Sequence, residues 1–219
     1  MTRILVLGAT GRTGAAILRA LPAGAQATAA LRAPADAGRL AATGVSPHRV
    51  VVDVFEPGSL MEALRGTQVV VNAIRLREEI APSELVALHD RLVLASTRVN
   101  GEPVRIVTVG GSGALRLRAG KRFWQVPAFP RPTLPRGRAH AALRDHLEAG
   151  NAGRAWAYLI PPPFYDPDGP ATGRWEHVAP AGDETAFTTR AVSYADFGAA
   201  VAEVASGTGT GTRLIAWPS

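Results

Sequence analysis

Three glycines spaced three apart follow a short apolar run, and that arrangement could hold a pyrophosphate. The run is Ile4-Leu5-Val6-Leu7 and the turn is Gly8-Ala9-Thr10-Gly11-Arg12-Thr13-Gly14. Gly8 permits a tight turn, Gly11 lets backbone approach phosphate oxygens, and Gly14 lets the following helix pack close to the strand. The helix start offers unpaired N–H groups and the positive end of its dipole. Gly8, Thr10, Gly11, Arg12, Thr13 and Gly14 are therefore the expected contacts of a dinucleotide. The plainer alternative is a glycine-rich turn with no ligand. A free ribose 2′-hydroxyl usually meets an acid about 20 residues past the glycines. Here Leu31-Arg32 stands there, and no acid occurs between Gly14 and Asp36. Arginine suits a 2′-phosphate through charge-assisted, bidentate hydrogen bonds, so NADPH is expected over NADH. Arg12 could add a contact, or both arginines could be solvated surface residues. Asp53 could accept from the adenine amino group or cap a helix. Asn72, Ala73 and Ile74 would line the ribose on the nicotinamide side.

Beyond the turn, Ser112 and His140 are the candidate catalytic residues. Ser112 follows an apolar strand in Gly110-Gly111-Ser112-Gly113, where its hydroxyl could hold a carboxamide or the acceptor. The same four residues could be a simple glycine loop. His140 could donate a proton from a helix facing that loop, or be an exposed or capped histidine on an amphipathic helix. A serine hydrolase is disfavoured: the residue two after Ser112 is Ala114, so no nucleophile elbow is present. Between Ala114 and Arg144 there are eight cations and no acid, with Phe123, Trp124 and Phe129 interleaved. That segment could close over an anionic flat acceptor such as FMN, bind single-stranded nucleic acid, or be a solvated basic loop anchored by its aromatics. Phe164, Tyr165 and Trp175 could form an apolar wall or pack in the core. The five histidines form no ligand pattern, so no metal is expected.

These residues must be positioned by alternating strands and helices. Strands are expected at 27–31, 48–53, 69–73, 104–109, 156–160 and 213–217, besides the first. Helices are expected at about 15–21, after Pro57, over 82–98, over 138–149 and after Ser193. This alternation predicts an α/β chain: a single-domain Rossmann fold with a doubly wound, mainly parallel sheet and helices on both faces. Residues 1–219 read as one NAD(P)-binding domain, with substrate-side loops at about 110–137 and 161–192. The 219 residues are 47% hydrophobic and 19% charged, with net charge +6, which fits one globular domain and anionic small-molecule partners. No nucleic-acid module and no membrane span is visible. Cysteine is absent, which excludes disulfides and thiolate chemistry. A cytoplasmic location is the expectation.

The turn at 8–14 resembles the fingerprint of the atypical, NAD(P)H-binding short-chain dehydrogenase/reductase superfamily. Other segments resemble its NADH-flavin reductase branch, related to the biliverdin-IXβ/flavin reductases. They are Gly110-Gly111-Ser112-Gly113-Ala114-Leu115, Phe129-Pro130, Trp156 to Pro162, Gly173-Arg174-Trp175 and Val192 to Phe197. The superfamily usually pairs a tyrosine with a lysine four residues on. None of Tyr158, Tyr165 and Tyr194 has one, and Lys121 is the sole lysine. The resemblance implies NADPH-dependent reduction of a flavin or similar flat conjugated acceptor, which needs positioning rather than a strong acid. Two alternatives stand beside it. One is an isomerase, epimerase or tailoring reductase of a specialised metabolite. The other is a non-catalytic NADP-sensing regulatory protein.

Overall fold

The computed structural model describes residues 1–41, 46–75, 81–151 and 155–219. The chain opens with β1 (Arg3–Leu7) and α1 (Arg12–Ala20), then β2 (Gln26–Leu31), the short α2 (Ala37–Ala41), β3 (His48–Val51) and α3 (Pro57–Leu64). There follow β4 (Val69–Asn72), α4 (Glu84–Asn100), β5 (Arg105–Val109), α5 (Leu134–His146) and β6 (Trp156–Ile160). The last part holds β7 (Phe164–Asp166), β8 (Glu176–Val178), β9 (Ala191–Ser193), α6 (Tyr194–Ser206) and β10 (Gly211–Ala216). The main sheet runs β3-β2-β1-β4-β5-β6-β10-β8. Every pair in it is parallel except β10 with β8. The fold is thus the expected doubly wound Rossmann type, with an antiparallel edge strand added.

The period-2 alternation of each buried strand decides which helices cover which face. Ile4 and Val6 of β1 pack with Ile17 of α1 and Phe197 and Val201 of α6. Leu5 and Leu7 point the other way, onto Leu60 and Leu64 of α3 and Leu88 and Leu92 of α4. All of these are buried, each contributing about 1.5–3 kcal/mol by leaving water. A third cluster joins Leu143 of α5 to Tyr158 and Ile160 of β6 and Leu214 of β10.

Several boundaries differ from the sequence expectation for identifiable reasons. Helix α5 begins at Leu134 rather than near 138, with Pro135 in its first turn, where a missing N–H costs nothing. Its end at Leu147–Asn151 widens into a π-turn that stops at Gly150, whose φ is +84°. The stretch at 161–192 is not only loop. It contains β7 and β8 and runs into β9, each three residues long. Strands this short carry almost no pattern; partners far along the chain define them. β7 pairs in parallel with β9 apart from the main sheet, and β8 pairs with β10.

Candidate functional site

Two glycines of the first turn do what their spacing demands. Gly8 has φ +74°, and a Cβ there would lie 2.4 Å from the Ala73 carbonyl oxygen after β4. A Cβ on Gly14 would lie 2.2 Å from the Gly8 carbonyl oxygen, so α1 rests directly on the turn. The turn itself closes through the Gly11 N–H donating to Gly8 O at 3.0 Å. The start of α1 has no side-chain cap and no acid in its first turn. By contrast, Glu56 caps α3 by accepting from Gly58 and Ser59, and Ser193 caps α6 by accepting from Asp196. The leading N–H groups of α1 and its dipole are therefore available to an anion.

That turn forms one wall of a cleft of about 1240 Å³. Gly8, Thr10, Gly11, Arg12 and Thr13 line it from the turn, and Arg32, Asp53, Ala73 and Ile74 line it from the ends of β2, β3 and β4. The cleft thus lies over the carboxyl ends of the strands, where such sheets reverse their order. Two other expected contacts stand behind it. Gly14 is buried under the turn. Asn72 is also buried, its Oδ1 accepting from the Ile74 N–H at 3.2 Å and shaping the backbone after β4. Asp53 does not cap α3. Its carboxylate accepts from the Phe55 N–H at 2.9 Å in a local turn, and Glu56 is the cap.

Arg32 leaves the end of β2 with its side chain 67% exposed, and Arg39 of α2 joins it along the cleft. Asp36 stands between them, 3.4 Å from Arg39 and 3.8 Å from Arg32. The first acid after the glycines therefore serves two arginines. Arg39, Phe55, Arg91 and Tyr194 also line the cleft and were not expected from the sequence. Arg39 carried a faint signal, lying seven residues after Arg32. Phe55 and Arg91 meet only in three dimensions, the guanidinium 5.0 Å from the ring centre.

Ser112 and His140 are neighbours of one another but do not line this cleft. Ser112 opens a single 3-10 turn after β5. The His140 ring lies against the preceding residue: a Cβ on Gly111 would lie 2.6 Å from Cδ2 and 3.1 Å from Nε2. On its other side, His140 Nδ1 is 2.9 Å from the Tyr158 hydroxyl, whose single O–H can donate to that nitrogen or to the His140 carbonyl oxygen 3.2 Å away. Burial, then the charge of Arg136, lowers the His140 pKa to about 4, so the ring is neutral near pH 7. Burial pushes the Tyr158 phenol up, and a backbone hydrogen bond from Gly111 works against that shift.

The basic segment is tied down by acids from elsewhere in the chain. Arg144 is fully buried and forms two hydrogen bonds with Glu184, at 2.7 and 2.8 Å, and a third with Glu148 at 2.9 Å. Arg116 pairs with Glu148, Arg118 with Asp183 and Arg122 with Asp145. Phe123 packs edge-on against Phe129, and Arg138 lies over Trp124. Trp175 donates to Glu203, and Tyr165 lies in the cluster around Phe197. Among the described residues no group of acids and histidines could hold a metal. No helix there is long and apolar enough to cross a membrane.

The chain is similar over most of its length to proteins from several bacteria. It is 29% identical over 207 residues to the uncharacterised protein YwnB of Bacillus subtilis, spanning 91% of this chain and 90% of that one. A crystal structure from Burkholderia pseudomallei, named as a candidate exported protein, superposes with TM-score 0.79 at 27% identity, over 99% of this chain and 100% of that one. A Streptococcus pneumoniae structure named as a candidate NADH-flavin reductase shares the fold, with TM-score 0.74 at 22% identity and full coverage of both chains. The model of an NAD(P)H-binding family matches residues 8–207, from the first glycine of the turn to the end of α6, and this chain belongs to that family.

Proposed function

We propose that this protein binds NADPH in preference to NADH and exchanges hydride with a small carbonyl-bearing or conjugated metabolite, as a tailoring reductase or epimerase. Dedicated flavin reduction is the weaker reading. The observation that carries this choice is the pairing of the basic segment. Arg116, Arg118, Arg122 and Arg144 already serve Glu148, Asp183, Asp145 and Glu184. Phe123, Trp124 and Phe129 are likewise engaged with one another or with Arg138. With four of the segment's eight cations and its three rings so occupied, the segment suits a wall for a small acceptor better than an open cradle for a flavin phosphate.

The residues present fit the cofactor. The uncapped start of α1 and the turn from Gly8 to Thr13 would hold the diphosphate, and Arg32 with Arg39 would hold the 2′-phosphate. Asp53 would reach the adenine. Asn72 would act through the backbone of Ile74, with Ala73 beside the nicotinamide ribose. Bound NADPH supplies the hydride. The segments at 110–137 and 161–192 would bound the acceptor side. Ser112 would orient the acceptor there. With the Tyr158 O–H donated to Nδ1, a neutral His140 would carry its ring proton on Nε2 and stabilise developing negative charge on the acceptor oxygen by donating a hydrogen bond, not by delivering a proton outright.

The test is anaerobic mixing of the protein with NADPH and either FMN or a panel of small ketones and enones. Loss of NADPH absorbance with a carbonyl substrate, faster than with NADH, is the expected result. A parallel mixture with NADP+ and chiral secondary alcohols tests the epimerase form, in which the cofactor takes the hydride and returns it to the opposite face: inversion of the carbinol centre with no net cofactor reduction identifies it. Rapid bleaching of FMN with no carbonyl turnover restores the flavin reading. Intact NADPH binding without any turnover points to a sensor.

A further inference from the structure

Tyrosines 165 and 194 lie on separate elements and meet at the first turn of α1. Tyr165 is the middle residue of β7, held there by its parallel pairing with β9, where it stands opposite Val192. Tyr194 is the first residue of α6, directly after β9. The two rings stack with centres 3.8 Å apart and planes 27° from parallel. The Tyr165 hydroxyl is 2.9 Å from Thr13 Oγ1, in the phosphate turn's helix. Tyr165 also leans on Phe197, with ring centres 5.1 Å apart. Its own position is therefore determined from three sides. Tyr194 is half-buried, and among the described residues it is the one tyrosine lining the cleft, beside Gly11, Arg12 and Thr13.

A phenol backed on one face by a fixed ring, and set beside an uncapped helix start, is suited to an anionic ligand's oxygen atoms. It offers an O–H donor and a planar surface at little cost in side-chain entropy. The α6 start that carries it is anchored again two residues on. The Asp196 carboxylate accepts from the Thr172 hydroxyl at 2.7 Å, the Gly173 N–H at 2.9 Å and the Trp217 indole at 2.6 Å. Arg32 and Arg39 stand with the end of β2 and with α2, whereas Tyr194 opens α6, which packs against α1, β4 and β5.

We propose that Tyr194 is a cofactor-positioning residue for the diphosphate–nicotinamide half of NADPH, with Tyr165 as the strut that ties its ring to Thr13 of the phosphate turn. The inference rests on the NADPH reading above. It makes the segment at 161–192 part of the cofactor site as well as a boundary of the acceptor side. Burial pushes the Tyr165 phenol above its ordinary pKa, which keeps it neutral as a strut.

Fragments of the cofactor separate the two halves of the site. The full-length protein is titrated with NADPH and with adenosine 2′-monophosphate, which carries the adenosine end but no diphosphate. Tyr194→Leu is expected to weaken NADPH about tenfold and to leave adenosine 2′-monophosphate unchanged. Tyr194→Phe keeps the ring and is expected to fall between Tyr194→Leu and wild type. Tyr165→Phe cuts the link to Thr13 and is expected to weaken NADPH about threefold, again without affecting the fragment. Circular dichroism and the thermal midpoint check that each variant is folded. NADPH affinity equal to wild type in Tyr194→Leu overturns the proposal. So does an equal loss of both ligands in a folded variant, because that is a general structural effect. If the wild-type protein binds neither ligand, the NADPH reading fails first and this inference falls with it.

Discussion

Arg32 and His140 show how far a single residue can be judged before its surroundings are known. Arg32 is exposed, and among the described residues its acid partner is Asp36 at 3.8 Å, a loose surface contact that holds it weakly. A guanidinium in that state gains most from a phosphate. Arg32→Ala should weaken NADPH about tenfold and leave NADH nearly unchanged, measured as the two dissociation constants by cofactor fluorescence. Equal losses would remove the 2′-phosphate role. His140 is the opposite case: a histidine on a helix that reads as an ordinary surface position, yet is held neutral by burial. Its pKa is about 4 in the native protein, against an ordinary value of 6.5. Below pH 6.5 the unfolded chain takes up a proton that the native chain refuses until near pH 4. Stability is therefore full above that window and falls as pH drops through it, by on the order of 3 kcal/mol in total. Urea midpoints between pH 7 and pH 4.5 should show this slope in the wild type and a shallower one in His140→Asn. Matching slopes would mean that His140 titrates normally.

At the scale of elements, the buried ion pair matters most. Arg144 of α5 and Glu184, in the stretch before β9, bring the two long segments of the second half together. Glu184 also accepts from the backbone N–H groups of Arg116 and Ala181. Removing the carboxylate leaves a guanidinium buried without its main partner and two backbone donors without an acceptor. Glu184→Ala should therefore cost about 3–5 kcal/mol, read from chemical denaturation. A loss under 1 kcal/mol would show that water or Glu148 takes over the charge. The count of cations between residues 114 and 144 correctly signals many charges but not their occupation. The acids they meet lie at 145, 148, 183 and 184, outside that window. Helix α1 was legible in the same sequence because its determinants are local: three glycines, a short apolar strand and no competing cap.

For the whole molecule, the sheet order follows from alternation of strands and helices in the first two-thirds of the chain. Five parallel strands with right-handed crossovers leave few ways to arrange themselves, and β3-β2-β1-β4-β5 is the outcome. The fingerprint then places the glycine turn at the reversal of strand order. By itself the sequence determined the fold class, the turn, the arginine after β2 and the residues that follow β4, because each depends on neighbours a few positions away. The tertiary structure alone decided that Tyr194 reaches the cleft and that Asp36 stands between two arginines. It likewise decided that Ser112 and His140 sit together outside the cleft, and that β7, β8 and β9 exist as strands. These depend on contacts between distant segments, the closing of Tyr165 on Thr13 across 152 positions among them. Such contacts arise when packed layers bring separate strand ends to one edge, and no local periodicity records them.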